Sequence, residues 1–166
     1  MDDQELEFEE IMNLYGTDIK RIVYMYVRDY SLADDITQET FIKCFTHYHQ
    51  FRGDSLRNWL IQIAINRSKD YLRSAYKKRT LLGENLINLL KTPSVETKIL
   101  EKSIEDEVTA SIMNLPVKYR EIIILYFYKE LTIKEISYAL EKNENTIKSQ
   151  LRRAKDLLKK EVSKNG

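Results

Sequence analysis

Apolar side chains recur along this 166-residue chain at spacings of three and four, a period that predicts helices almost throughout. Phe8, Ile11, Met12 and Tyr15 form a first run. Gly16 interrupts it, and Ile19, Ile22, Val23, Tyr26 and Val27 follow at once, so the pattern predicts two helices set at an angle. Leu32, Ile36, Thr40, Phe41, Cys44, Phe45 and Tyr48 mark a third. Ser31 is its expected N-cap, with Asp34 and Asp35 in a first turn that favours negative charge. His49 to Asp54, with Gly53, reads as a loop. A fourth helix starts at Asp54 or Ser55 and carries Leu56, Trp59, Leu60, Ile63 and Ala64.

That fourth helix changes character midway. From Asn66 to Arg79 it keeps helical propensity but turns polar and basic. Asn66, Asp70, Arg73 and Lys77 share one face, with Arg67 and Lys69 at its sides. A packing stripe that gives way to such an end lets the helix leave the core and meet a partner. Between Lys78 and Glu101 the periodicity weakens around Gly83 and Pro93, which predicts a linker with a short helix over Leu86, Ile87, Leu89 and Leu90. A second helical unit begins near Ile99. Ile104, Val108, Ile112 and Leu115 form its first stripe, and Pro116 opens the next helix. The expected architecture is all-α: two small helical domains, residues 1–80 and 104–166, joined by a linker at 81–103, with a helix-turn-helix in the second.

Composition supports this. Only 4 Gly and 2 Pro are present, too few for a fold built on many tight turns. The single Cys44 excludes an internal disulfide and a Cys-rich zinc site. His47 and His49 fall on different helix faces and read as ordinary surface residues. The first ten residues hold six acids, unlike a secretory signal. The longest apolar run, Ile122 to Phe127, is too short to cross a bilayer, so a cytoplasmic protein with no membrane insertion of its own is expected. The net charge of +1 hides strong segregation. Residues 1–50 hold 11 acids against 4 bases, residues 51–82 hold 8 bases against 2 acids, and residues 131–166 hold 9 bases against 5 acids. Two basic zones beside acidic ones fit either two polyanion-binding surfaces or a set of solvated helix faces.

The stretch Leu131 to Lys159 narrows that choice. Thr132 and Glu135 are spaced as a capping box for a short helix, Ile133 to Leu140. Glu141, Lys142 and Asn143 make a three-residue turn. Asn143 or Asn145 then caps a longer helix with Ile147, Leu151 and Leu158 inward. Two helices joined by so short a turn have helix-turn-helix geometry, which offers the start of the second helix to a major groove. Its outer face carries Lys148, Ser149, Arg152, Arg153 and Lys155. Arg can donate twice to guanine, Lys and Ser can hold phosphates, and the helix start at Asn145 and Thr146 can point N–H groups at one.

Here the sequence resembles a known family. Leu131 to Ile136, with Thr146-Ile147-Lys148-Ser149-Gln150-Leu151-Arg152-Arg153-Ala154-Lys155, is similar to the recognition region of bacterial sigma factors, and Leu115-Pro116-Val117-Lys118-Tyr119-Arg120-Glu121 resembles the opening of the same domain. Ala33-Asp34-Asp35-Ile36-Thr37-Gln38-Glu39-Thr40-Phe41 resembles the family's polymerase-gripping helix. Phe51 to Ser55, Trp59-Leu60 and Ile63 to Asn66 resemble its promoter-melting segment. Both halves occur in the right order with no room for a further domain between them, which is the pattern of the extracytoplasmic-function (ECF) type.

The resemblance implies a non-enzymatic subunit of transcription initiation that needs no cofactor. Its implied partners are core RNA polymerase (β′ clamp helices and β flap), promoter DNA and an anti-sigma factor. It assigns Asp35, Gln38, Glu39 and Phe41 to polymerase, and Phe51, Asn66, Lys69, Asp70 and Arg73 to the minus-ten element. Thr146, Lys148, Ser149, Arg152 and Arg153 go to the minus-thirty-five element. Phe51 either plugs the domain or lines a pocket for an unstacked base, while Trp59 reads as core. The turn departs from the family pattern: Glu141 and Lys142 stand where Gly and an aliphatic residue are frequent, which predicts a strained or differently packed backbone. Gln150 stands where Arg is frequent, and is set either to read adenine or to be solvated. No nucleophile–base pair, phosphate-cradling Gly loop or paired carboxylates stand out, so no enzyme is expected.

Overall fold

The computed structural model describes residues 3–53, 55–82 and 107–165, in which all regular structure is helical. These residues fall into two compact units. The expected linker helix at Leu86, Ile87, Leu89 and Leu90 lies outside the described residues, as do Ile99 and Ile104.

Three long helices make the first unit: α1 (Asp3–Val27), α2 (Tyr30–His47) and α3 (Leu56–Leu82). Each packs on the other two. α1 is continuous where two helices were expected. Gly16 weakens a helix by only about 0.5–1 kcal/mol relative to Ala, less than the packing on either side supplies. Ile11, Ile19, Ile22, Val23 and Tyr26 are all buried along one uninterrupted stripe. The chain then reverses in two residues. Arg28 takes a left-handed φ of 54°, and its N–H donates to the Tyr24 carbonyl at 2.8 Å. Asp29, not Ser31, is the N-cap of α2, its carboxylate accepting from the N–H of Leu32 at 2.9 Å. α2 buries Ala33, Ile36, Thr37, Thr40, Phe41 and Cys44. The two buried threonine hydroxyls donate to carbonyls one turn back, which satisfies them within the apolar core. Phe45 and Tyr48, expected inward, are both exposed.

A 3₁₀ turn (Tyr48–Gln50) leads to α3. At its start Ser55 Oγ accepts from the N–H of Asn58 at 3.2 Å. Leu60, Ile61, Ile63, Ala64, Ile65 and Ser68 are buried. No residue of α3 after Ser68 is buried, although the helix runs on to Leu82. The basic half of α3 is thus held by its own backbone and by the well-packed half before it.

The second unit comprises α4 (Glu107–Met113), α5 (Val117–Ile123), a π-helical turn (Ile124–Tyr128), α6 (Ile133–Leu140) and α7 (Glu144–Asn165). Pro116 precedes the first residue of α5. The Arg120 side chain is buried and donates to the Met113 carbonyl at 2.9 Å, tying the α4–α5 corner together. Ile112, Leu115, Ile122 to Leu125, Leu131, Ile136, Leu140, Ile147, Leu151 and Ala154 form the core. Val108, expected in the first stripe, is exposed, and Leu158 is only half-buried.

Candidate functional site

α2 presents one polar stripe outward. Asp35, Gln38 and Glu39 are all exposed on it, but Phe41 is only 3% exposed. Phe41 points into the unit and cannot meet a partner, so its expected place on the contact surface is a mistake of one side of the helix. The stripe continues instead through Ile42 and Phe45, which are 65% and 48% exposed. Helical spacing puts Ile42 one turn beyond Gln38 and Glu39, on their face. Phe45 meets Phe8 of α1 edge-on, with ring centroids 4.1 Å apart. Reading Phe45 as inward hid this apolar continuation. Asp34 does not join the stripe: Lys20 Nζ is 2.9 Å from its Oδ1 and 3.7 Å from the centre of the Tyr30 ring.

On α3, Asn66 and Lys69 are half-buried, while Asp70 and Arg73 are exposed and paired with each other. One helical turn sets that pair, and it orients the guanidinium along the polar face. Arg67, at the side of the same face, reaches across to Glu39 of α2. Phe51 stacks on Trp59 with ring centroids 5.0 Å apart and planes 23° from parallel. A Cβ on Gly53 would lie 3.0 Å from the Phe51 ring, so a side chain there would press the ring out of place. Phe51 therefore closes against the domain in this state, and Trp59 is half-buried rather than fully core.

In the second unit the capping box is complete. Thr132 Oγ1 accepts from the N–H of Glu135, and the Glu135 carboxylate accepts from the N–H of Thr132, each at 3.1 Å. Glu141 ends α6 in the left-handed conformation, with φ of 53°. The N–H of Lys142 donates to the Ser137 carbonyl at 3.2 Å, and the Ser137 hydroxyl donates to the carbonyl of Lys142. Asn143 caps α7, its side-chain oxygen accepting from the N–H of Thr146 at 2.8 Å. The turn is thus hydrogen-bonded into one shape despite its lack of glycine.

Along α7, Lys148, Ser149, Arg152 and Arg153 are exposed and Thr146 is half-buried. They are not equivalent. By helical spacing Arg152 and Arg153 both lie well off the stripe of Ile147, Leu151 and Ala154, on opposite sides of it. Arg153 leans back, its guanidinium carbon 6.0 Å from the centre of the Tyr119 ring, at the limit of a cation–π contact. Lys155 is similarly placed, 5.8 Å from Tyr126 and 5.6 Å from Phe127. Gln150 is neither free nor plainly solvated: Lys142 Nζ donates to its side-chain oxygen at 3.4 Å. Among the described residues no group of three or more His, Cys, Asp or Glu side chains is placed to hold a metal, and no helix is long and apolar enough to cross a membrane.

Two family models match the chain: Sigma-70 region 2 over residues 11–78, and Sigma-70, region 4 over residues 105–158. Over 154 residues the chain is 34% identical to the ECF RNA polymerase sigma factor SigM of Bacillus subtilis (strain 168), covering 93% of this chain and 94% of that protein. The chain belongs to the ECF sigma factors. It is therefore a transcription initiation factor and not an enzyme. A second relative of this sigma factor, the RNA polymerase sigma factor SigV of the same organism, is 28% identical over 148 residues, covering 89% of this chain and 86% of that protein. The fold agrees. CnrH in complex with the cytosolic domain of CnrY superposes with a TM-score of 0.72 at 17% identity, covering 98% of this chain and 91% of that one. The sigma factor RpoE in complex with the anti-sigma factor NepR, from Bartonella quintana, gives 0.72 at 19% identity, with 95% and 97% covered.

Proposed function

We propose that this sigma factor binds core polymerase through the outward stripe of α2 and reads promoter DNA with α3 and α7. Asp35, Gln38 and Glu39 meet the β′ clamp helices, with Ile42 and Phe45 extending the contact. Phe51, Asn66, Lys69, Asp70 and Arg73 take the minus-ten element. Thr146, Lys148, Ser149, Arg152 and Arg153 take the minus-thirty-five element, and the second unit also meets the β flap. Residues 1–80 and 104–166 act as the two DNA-reading domains, with 81–103 as the linker. An anti-sigma factor holds the protein inactive; what supports this is that RpoE, similar in fold, is in complex with the anti-sigma factor NepR.

The observation that carries this reading is the form of α3 and α7. Each is a long helix packed on one side and polar or basic on the other, and the polar half of α3 extends past its last buried residue, Ser68. Run-off transcription with core polymerase on genomic promoter fragments tests it. The parent chain is expected to give discrete transcripts. Lys at both Asp35 and Glu39 is expected to abolish them and to end co-purification with polymerase while helix content stays unchanged. Transcripts unaltered by that double reversal would overturn the assignment of α2.

A further inference from the structure

Glu39 lies on the polymerase-binding stripe of the reading above, and Arg67 flanks the polar face of α3, yet the two touch. Nη1 of Arg67, on α3, stands 3.9 Å from Oε2 of Glu39, on α2, with 42% and 56% of the two side chains exposed. This is one long contact, not the pair of parallel bonds with which a guanidinium grips a carboxylate. Meanwhile Nε of Arg67 is buried and has no hydrogen-bond partner among the described residues. Arg67 is thus held, but poorly satisfied, beside Asn66 at the flank of the polar face of α3.

We propose that Arg67 is a phosphate-binding residue of the minus-ten surface that Glu39 keeps in reserve, released to the DNA backbone when polymerase takes Glu39. The proposal rests on Glu39 being a polymerase contact. Glu39 cannot fully serve both a basic partner helix and Arg67. A phosphate can accept two of the guanidinium's N–H groups at once, including the one that lacks a partner here. An exposed pair of this kind shifts an equilibrium by only about two- to five-fold, so an arriving partner can break it. Linkage makes the effect reciprocal: whatever polymerase gains by freeing Glu39, DNA gains by freeing Arg67.

The test uses the full chain with Glu39→Gln, Arg67→Met and both together; Met keeps the long apolar stem without the charge. Binding to a mixed-sequence single-stranded oligodeoxynucleotide is titrated at two salt concentrations. Loss of a negative charge at Glu39 favours any polyanion, so the decisive comparison is between backgrounds. Glu39→Gln is expected to tighten binding about two- to five-fold with Arg67 present and much less with Met there, and to steepen the salt slope by about 0.7, one contact on a single strand. Equal tightening in both backgrounds would overturn the proposal. Affinity for core polymerase separates this from the reading beneath it. Arg67→Met is expected to bind polymerase about two- to five-fold more tightly, because Glu39 is already free. If Glu39→Gln leaves polymerase affinity untouched, the polymerase contact at Glu39 fails, and the coupling with it. If Glu39→Gln weakens polymerase binding but Arg67→Met changes nothing, the polymerase contact stands and the coupling alone is wrong.

Discussion

Phe51 covers one face of Trp59, ring on ring at 5.0 Å and 23° from parallel. Catching a base that has left the duplex stack needs a free aromatic face, worth roughly 1–3 kcal/mol per base. The covered face of Trp59 is open to a base only once Phe51 leaves it, whereas Phe51 keeps its outer face while stacked. Because Trp59 is the only tryptophan in the chain, its fluorescence reports this contact without a label. Phe51→Ala is expected to shift the emission to the red. It is also expected to reduce promoter opening, followed by permanganate footprinting, more than closed-complex binding. An emission spectrum unchanged by Phe51→Ala would mean that the stack does not form in solution.

Gly16 sits in the middle of α1, with nothing within 4 Å of where a Cβ would stand. Alanine fits there without a clash and lowers the conformational freedom of the unfolded chain. Gly16→Ala is expected to stabilise the first unit by about 0.5–1 kcal/mol. A higher urea midpoint for its helical signal, at unchanged slope, checks this. A lower midpoint would show that α1 needs a bend at this position.

The Gly16 error shows where sequence reading stops. Period and caps located the helices, because burial writes itself into spacing; the Thr132 and Glu135 capping box is an example. Whether a glycine breaks a helix depends on the packing of both flanks, and that packing is tertiary. Phe41 and Ile42 differ by one position on α2, and only the placement of α1 and α3 decides which faces inward. Asp29 displaced Ser31 as the cap because the left-handed Arg28 ends α1 so abruptly. The π-helical turn at Ile124–Tyr128 has no periodic signature of its own. The departure at Glu141 was legible, and its left-handed φ of 53° is the conformation a glycine would have served. The contact of Glu39 with Arg67 joins two different helices, and no local pattern announces it.

The Cys44 thiol is completely buried in α2, and burial pushes its pKa up from 9.0 to about 11. The folded chain thus keeps the thiol protonated at a pH where the unfolded chain has begun to ionise it. The stability this contributes is fully present below about pH 9 and is lost as the pH rises toward about 11. Native protein at pH 8 is expected to react with a thiol-directed maleimide far more slowly than protein in denaturant. Equal rates would place Cys44 at the surface.

The two neighbouring arginines of α7 provide the most discriminating prediction. Both are exposed, but Arg153 leans over Tyr119 at 6.0 Å, whereas Arg152 makes no ring contact among the described residues. A side chain free to extend can reach base edges in the major groove; one resting on a ring beside its own helix is better placed for the flanking phosphate. Arg152→Ala is therefore expected to cost about 1–3 kcal/mol on the preferred minus-thirty-five sequence and to relax preference at one base pair. Arg153→Ala is expected to weaken all sequences alike and to make the salt dependence shallower by about one contact. Titrations against single-base promoter variants at two salt concentrations measure both. If Arg153→Ala relaxes a single base pair while Arg152→Ala acts evenly, the guanidinium leaves Tyr119 on binding and the two roles are reversed.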